Sequence, residues 1–168
     1  MRKLILAIFS CLLAVTLMPE QALAQREIAY ETSAGVRLSA FYGASIKHFF
    51  EDRNAVEGIL HSSWGALKVT GLYERHMPAF DEPGLRFYYG GGGHIGFTGS
   101  RYYDRRYDSD GSGVLIGIDG ILGAEYTIQD REIPLNVSLD WKPVFEFTPF
   151  AGFWGAELGL TVRYIFRY

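Results

Sequence analysis

The stretch ELGLTVRYIFRY, residues 157–168, decides the fold. Leu158, Leu160, Val162, Tyr164, Phe166 and Tyr168 fall on one face, and Gly159, Thr161, Arg163, Ile165 and Arg167 on the other. Side chains of an extended chain point alternately to opposite sides, so a period of two marks a β-strand between two environments. One environment takes only apolar and aromatic groups, and the other holds two arginines.

Seven segments upstream repeat this two-faced pattern. Gly35–Tyr42, Ser45–Glu51 and Ala55–His61 are short; Ala66–His76, Leu85–Thr98, Val114–Ile128 and Leu135–Phe147 are longer. One face of these strands collects Leu, Val, Ile, Phe, Tyr and Trp, with Tyr42, Tyr73, Tyr126 and Trp141 near segment ends or flanking the apolar band. The other collects Arg37, Lys68, Glu74, Arg86, Asp119, Glu125, Asp140, Lys142 and Arg163, joined by Lys47, Glu57, His94, Glu146 and Arg167. Both signs occur in near-equal number, as an ion-paired interior requires.

A chain that crosses lipid must pair every backbone N–H and C=O internally, and a sheet does so only by closing on itself. Eight strands close into a barrel just wide enough for its own side chains to fill. A soluble eight-stranded barrel would put the apolar face inside. Here the apolar set is aromatic-rich and nearly free of charge, and the last strand ends on an aromatic, which favours lipid outside. The expected fold is therefore all-β: an eight-stranded antiparallel up-and-down transmembrane barrel. Asp52-Arg53-Asn54, Met77–Gly84 and Gln129–Ile133 would connect strands on the periplasmic side. Gly43-Ala44, Ser62–Gly65, Gly99–Gly113 and Thr148–Ala156 would do so on the outside, where such barrels carry their longer loops.

The N-terminus supports this compartment. Met1-Arg2-Lys3 is basic, Leu4–Met18 is apolar, and Ala22-Leu23-Ala24 supplies small residues before Gln25. Residues 1–24 read as a cleaved signal peptide, 25–34 as a periplasmic lead-in and 35–168 as the barrel. The only cysteine, Cys11, lies inside the apolar run, so the mature chain would have no disulfide. Formal charge goes from 16 − 19 = −3 to 14 − 18 = −4 once Arg2, Lys3 and Glu20 are removed, which gives no case for nucleic acid.

Several stretches carry a likeness: KHFF at 47–50 with NAVEGIL at 54–60, GLYE at 71–74, Gly90–Gly96 with His94, GIDGILGAEY at 117–126, PLNVSLDWKP at 134–143 and VRYIF at 162–166. The whole mature chain resembles the small eight-stranded outer-membrane barrels, the group of OmpX, the OmpA membrane domain and OmpW. More narrowly it resembles the uncharacterised outer-membrane β-barrel proteins of Bacteroidota. The resemblance implies fold and location, not an activity.

Candidate chemistry is thin. A lipid A deacylase in this fold would need a lipid-facing His and Ser with an acid. His48 with Ser45 or Ser39, and His61-Ser62-Ser63, come nearest, without an H-x-S pair. Gly90–Gly93 lies inside a strand pattern, where glycine makes room across the lumen rather than cradling phosphate. His61, His76 and His94 with Glu57 and Glu74 match no zinc spacing, and hydrogen-bonded interior or rim histidines are the simpler reading. Asp104, Asp108 and Asp110 with Gly111 and Ser112 lack the last ligand of a calcium loop.

Arg101, Tyr102, Tyr103, Arg105, Arg106 and Tyr107 are contact candidates in an external loop, for a surface ligand or lipopolysaccharide phosphates. Tyr164, Phe166 and Tyr168 are candidates for the C-terminal signal read by the barrel-assembly machinery. The expectation is a monomeric protein of the Gram-negative outer membrane, in contact with its lipid and lipopolysaccharide, with a structural or surface-interaction role. No catalytic residue, metal or cofactor is expected. A lipid A-modifying enzyme and a narrow, porin-like pore are the alternatives.

Overall fold

A computed structural model of the chain describes residues 31–166 except 41, 52, 64–65, 81, 99–112, 129, 131, 149–150 and 156. The described residues form ten strands and no helix. They are β1 (Thr32–Leu38), β2 (Tyr42–Glu51), β3 (Asn54–Ser63), β4 (Ala66–Pro78), β5 (Leu85–Thr98), β6 (Gly113–Thr127), β7 (Leu135–Trp141), β8 (Val144–Thr148), β9 (Gly152–Trp154) and β10 (Leu158–Phe166).

All pairings are antiparallel, and β1 against β10 with β5 against β6 closes the sheet. Only eight wall positions are occupied, because β8 continues the line of β7 and β9 that of β10. Trp141 pairs with Leu122 and Val144 with Asp119, so β7 and β8 keep one register on β6. The wall is thus the expected closed eight-stranded barrel.

Its shear follows from the pairings. The path Gly117, His94, Thr70, Ile59, Ser45, Gly35, Arg163, Asn136, Thr127 runs once round and returns ten residues along β6, since 127 − 117 = 10. Ten rises of ~3.3 Å over eight spacings of ~4.8 Å give a strand tilt of about 40°, within the range of closed barrels.

The faces separate cleanly. Outside, Val36, Ile46, Leu60, Val69, Ile95, Ile118, Leu139 and Leu160 are exposed. Phe50, Tyr73, Tyr89, Tyr126 and Tyr164 lie toward one end of this aliphatic belt, and Tyr42, Phe97, Phe147 and Phe153 toward the other. Tyr89 and Phe97 are eight residues apart on β5, which at this rise and tilt is about 20 Å along the axis. Inside, a few apolar side chains pack among polar ones. Ile59, Leu72, Tyr88 and Ile121 form one cluster, and Phe49, Ala55 and Ile165 another.

Three expectations need correction. β1 begins at Thr32, inside the stretch assigned to a lead-in, because Thr32–Ala34 pair with Phe166–Tyr164 on one side and His48–Ile46 on the other. β1 ends at Leu38 and β2 starts at Tyr42, so the chain turns before Gly43-Ala44 rather than at it. Three residues separate the strands, an odd number that leaves Val36, Leu38, Tyr42, Ala44 and Ile46 in one unbroken alternation, and the turn leaves no mark in the pattern.

The third concerns Thr148–Ala156, expected as a loop, which contains β9 paired to β8. The seventh segment breaks at Lys142-Pro143, because proline has no N–H for the ladder. At the same level Gly155 and Glu157 lie off the ladder, between β9 and β10. Two backbone bonds tie the breaks into the wall: Lys142 N–H donates to Glu157 O at 2.8 Å and Gly120 N–H to Pro143 O at 2.9 Å. On the outer face the Trp141 indole donates to Gly155 O at 2.5 Å, which satisfies a carbonyl that the break leaves off the ladder.

Candidate functional site

The lumen is where this chain concentrates chemistry. Every strand of the wall sends a charged side chain inward. Arg37, Lys47, Lys68, Arg86, Lys142 and Arg163 meet Glu57, Glu74, Asp119, Glu125, Asp140, Glu146 and Glu157, with His61, His76 and His94 among them. Burying such groups is tolerable only when each is paired and hydrogen-bonded.

They pair in two tiers. In the first, Arg163 donates from Nε to Ser45 Oγ at 2.8 Å, from Nη1 to Ser138 Oγ at 2.9 Å, and from Nη2 to Glu57. Ser45 also donates to Glu57 at 2.6 Å. Lys47 Nζ stands 2.7 Å from Glu74, 3.3 Å from Glu57 and 3.5 Å from Glu125, and 4.2 Å above the centre of the Tyr88 ring. His76 lies 3.0 Å from Glu74 and stacks on Tyr88, while Arg86 reaches Glu125 at 3.7 Å.

The second tier begins at Arg37, which donates to both Asp140 oxygens at 2.7 and 2.5 Å; the Tyr88 hydroxyl donates to Asp140 at 3.1 Å and joins the tiers. Beyond it runs a chain of contacts. His94 Nδ1 meets Asp119 at 2.6 Å, Lys142 Nζ meets Asp119 at 2.8 Å and Glu157 at 3.0 Å, and Glu157 meets His61 at 3.7 Å and Lys68 at 3.8 Å. Glu157 lies between β9 and β10, outside the strands.

Arg37, Asp140, Asp119, Lys142 and Lys68 thus gather in the second tier, and Arg163, Glu74, Glu125 and Arg86 in the first. Sequence reasoning missed Glu157, which opens the last alternating segment but was not named among the inward charges. Its one signal was parity: Glu157 shares the phase of Thr161 and Arg163.

Other candidates separate. His48 is half-buried and bonds Thr32 Oγ1 at 2.9 Å, whereas Ser45 points inward to Glu57 and Arg163, so the two are not partners. His61 meets Glu157, and His76 and His94 join different tiers; no metal-holding group of His, Cys, Asp and Glu forms among the described residues. Tyr164 and Phe166 are exposed on the outer wall, with ring centres 5.5 Å apart. Arg101, Tyr102, Tyr103, Arg105, Arg106, Tyr107 and Tyr168 lie outside the described residues, as does the calcium-like stretch 104–112.

A closed eight-stranded wall with an apolar outside and a charge-paired inside invites comparison with solved barrels. The chain shares the fold of the N-terminal β-barrel domain of Pseudomonas aeruginosa OprF. The superposition has a TM-score of 0.61 at 16% identity and covers 80% of this chain and 96% of the OprF domain. The likeness is therefore one of whole-barrel architecture. No protein-family model and no curated protein matches the chain, and nothing in the OprF comparison supports the narrower likeness to Bacteroidota proteins.

Proposed function

We propose that the chain is an outer-membrane β-barrel with a structural or surface-interaction role, neither an enzyme nor an open channel. One observation carries this reading: among the described residues, nearly all the charge that the strands carry is buried inside and paired, Arg75 and Glu51 excepted, while the outer wall is an aliphatic belt between aromatic margins. An inward-polar, outward-apolar barrel suits lipid, where aromatic side chains favour the two interfaces. The OprF-like fold supports it.

Ion pairs cross the lumen at two levels with Tyr88 wholly buried between them, an arrangement that supports a filled lumen over an open channel. The nearest catalytic pairing, His48 with Ser45, is split between the two sides of the wall. In this reading the protein is a monomer that meets membrane lipid along its belt. Tyr164, Phe166 and Tyr168 meet the assembly machinery, and Arg101, Tyr102, Tyr103, Arg105, Arg106 and Tyr107 contact an external ligand or lipopolysaccharide.

The test is fractionation with gel analysis. The protein should fractionate with outer membranes and run at a different mobility before and after boiling; recovery as a soluble periplasmic protein would sink the reading. Planar bilayers should show no steady conductance. Lipid A masses from cells with and without the protein should coincide, and a difference would favour the enzyme.

A further inference from the structure

Two charges of the described strands are not inside. Glu51 ends β2 and Arg75 lies near the end of β4, and both are exposed. They share one row of the sheet. Glu51 pairs with Asn54 and Asn54 with Arg75, so the charges flank β3, two strand spacings or about 10 Å apart at the backbone. The row continues to Tyr89 on β5. Elsewhere round this end the exposed strand residues include Phe87, Tyr126, Tyr164 and Phe166, which carry no charge. One sector of the margin thus offers an anion and a cation side by side.

The depth of the pair is that of a lipid headgroup. Tyr73 lies two residues from Arg75 toward the belt, about 5 Å along the axis at the rise and tilt above. Its ring centre is 6.0 Å from that of Phe50, and the two rings form a shelf between the charged row and the aliphatic belt. Aromatic side chains of a barrel settle at the headgroup level, which sets Arg75 and Glu51 just beyond it, on the side of the β2–β3 and β4–β5 turns. Asn54 Nδ2 donates to Glu51 Oε2 at 2.5 Å and holds the carboxylate in the row. Arg75 also has a contact within the protein. A guanidinium has five N–H donors and a carboxylate about four acceptor sites, so such contacts saturate neither.

We propose that this row binds phosphatidylethanolamine, with the phosphodiester on Arg75, the primary ammonium on Glu51 and the acyl chains passing the Phe50–Tyr73 shelf onto Val56 and the belt. Opposite charges in one row match a zwitterionic head. Guanidinium suits the phosphate because two parallel N–H groups donate to it at once. A head that carries phosphate alone satisfies Arg75 but brings a net negative charge beside Glu51. A quaternary ammonium has no N–H for the carboxylate, whereas a primary ammonium has three. The proposal rests on the outer-membrane reading for the presence of the lipid, but the preference itself is measurable in micelles.

The full chain in dodecyl maltoside micelles is titrated with phosphatidylethanolamine, phosphatidylcholine and phosphatidylglycerol of identical acyl chains. Native mass spectrometry counts bound lipid, and NMR follows the Arg75 Nε and Asn54 side-chain resonances. One phosphatidylethanolamine should bind about fivefold tighter than either of the others and shift both resonances. R75Q should weaken phosphatidylethanolamine about fivefold, R75K should stay within about twofold, and E51Q should abolish the preference over phosphatidylglycerol. Both positions are exposed, and each variant is scored only once it shows the heat-dependent gel shift. Equal affinities of the native chain for the three lipids overturn the headgroup assignment. An affinity unchanged in R75Q, or a preference that survives E51Q, overturns the site. The two readings fail separately. Recovery as a soluble periplasmic protein counts against the membrane reading whatever the titration gives, whereas a chain that fractionates with outer membranes but shows no preference overturns this site alone.

Discussion

Replacing Arg163 with Met probes the first tier where it is most tightly knit. The side chain is wholly buried, and its guanidinium serves Ser45, Ser138 and Glu57 at once. Breaking a buried pair by removing one partner costs about 3–5 kcal/mol, because the other charge stays behind without compensation. Glu57 would keep Lys47 at 3.3 Å and the Ser45 hydroxyl, so the lower end, about 3 kcal/mol, is the expected loss for R163M. E57Q in the same chain removes the stranded charge, and R163M/E57Q should recover about 1–2 kcal/mol relative to the sum of the single variants. Urea unfolding in lipid vesicles, followed by tryptophan fluorescence with the gel shift as a second probe, measures all four proteins. A loss below about 0.5 kcal/mol for R163M, or strict additivity of the two changes, would refute the account of the lumen as a coupled ionic core.

Glycine positions give a contrast free of charge. A side chain at Gly71 meets nothing within 4 Å on the lipid face, whereas a Cβ at Gly92 runs into the Gly71 carbonyl. G71L should leave stability within about 0.5 kcal/mol, and G92A should cost about 1–3 kcal/mol or block folding, as read by urea midpoints. Loss of the Trp141 donor in W141F leaves Gly155 O facing lipid; a cost of about 1–3 kcal/mol is expected in vesicles.

Strand existence and facing were legible because lipid and lumen impose opposite chemistry at a period of two, and that code is dense in β4, β5, β6 and β10. Strand ends were not, for reasons visible in particular residues. The β1–β2 turn preserves parity, and Thr32-Ser33-Ala34-Gly35 is too small and mild to declare a face. Pro143 was read through rather than as a break, because Phe145 and Phe147 resume the outward phase of Trp141 beyond it. The tiers were legible as a set of inward charges, but not as partners. Arg163 finds Glu57 from 106 residues away, and only closure of the sheet brings β10 across the lumen from β3.

The polar lumen also explains why a barrel with so uniform an outside adopts one register. A slip of one residue turns every side chain of a strand to the opposite face. On the lipid side a misplaced Val or Leu would lose little, since apolar residues abound there. On the lumen side each wall strand carries at least one charge: Arg37, Lys47, Glu57, Lys68, Arg86, Asp119, Asp140 and Arg163 serve the eight in turn. A slip would carry that charge into lipid, at about 2–4 kcal/mol for Lys or Arg near the midplane, and strand its partner inside. Buried ion pairs add little net stability over well-packed apolar groups. Their larger effect in this chain is to make a one-residue slip expensive, which a lumen filled only with residues like Ile59, Leu72 and Ile121 would not do.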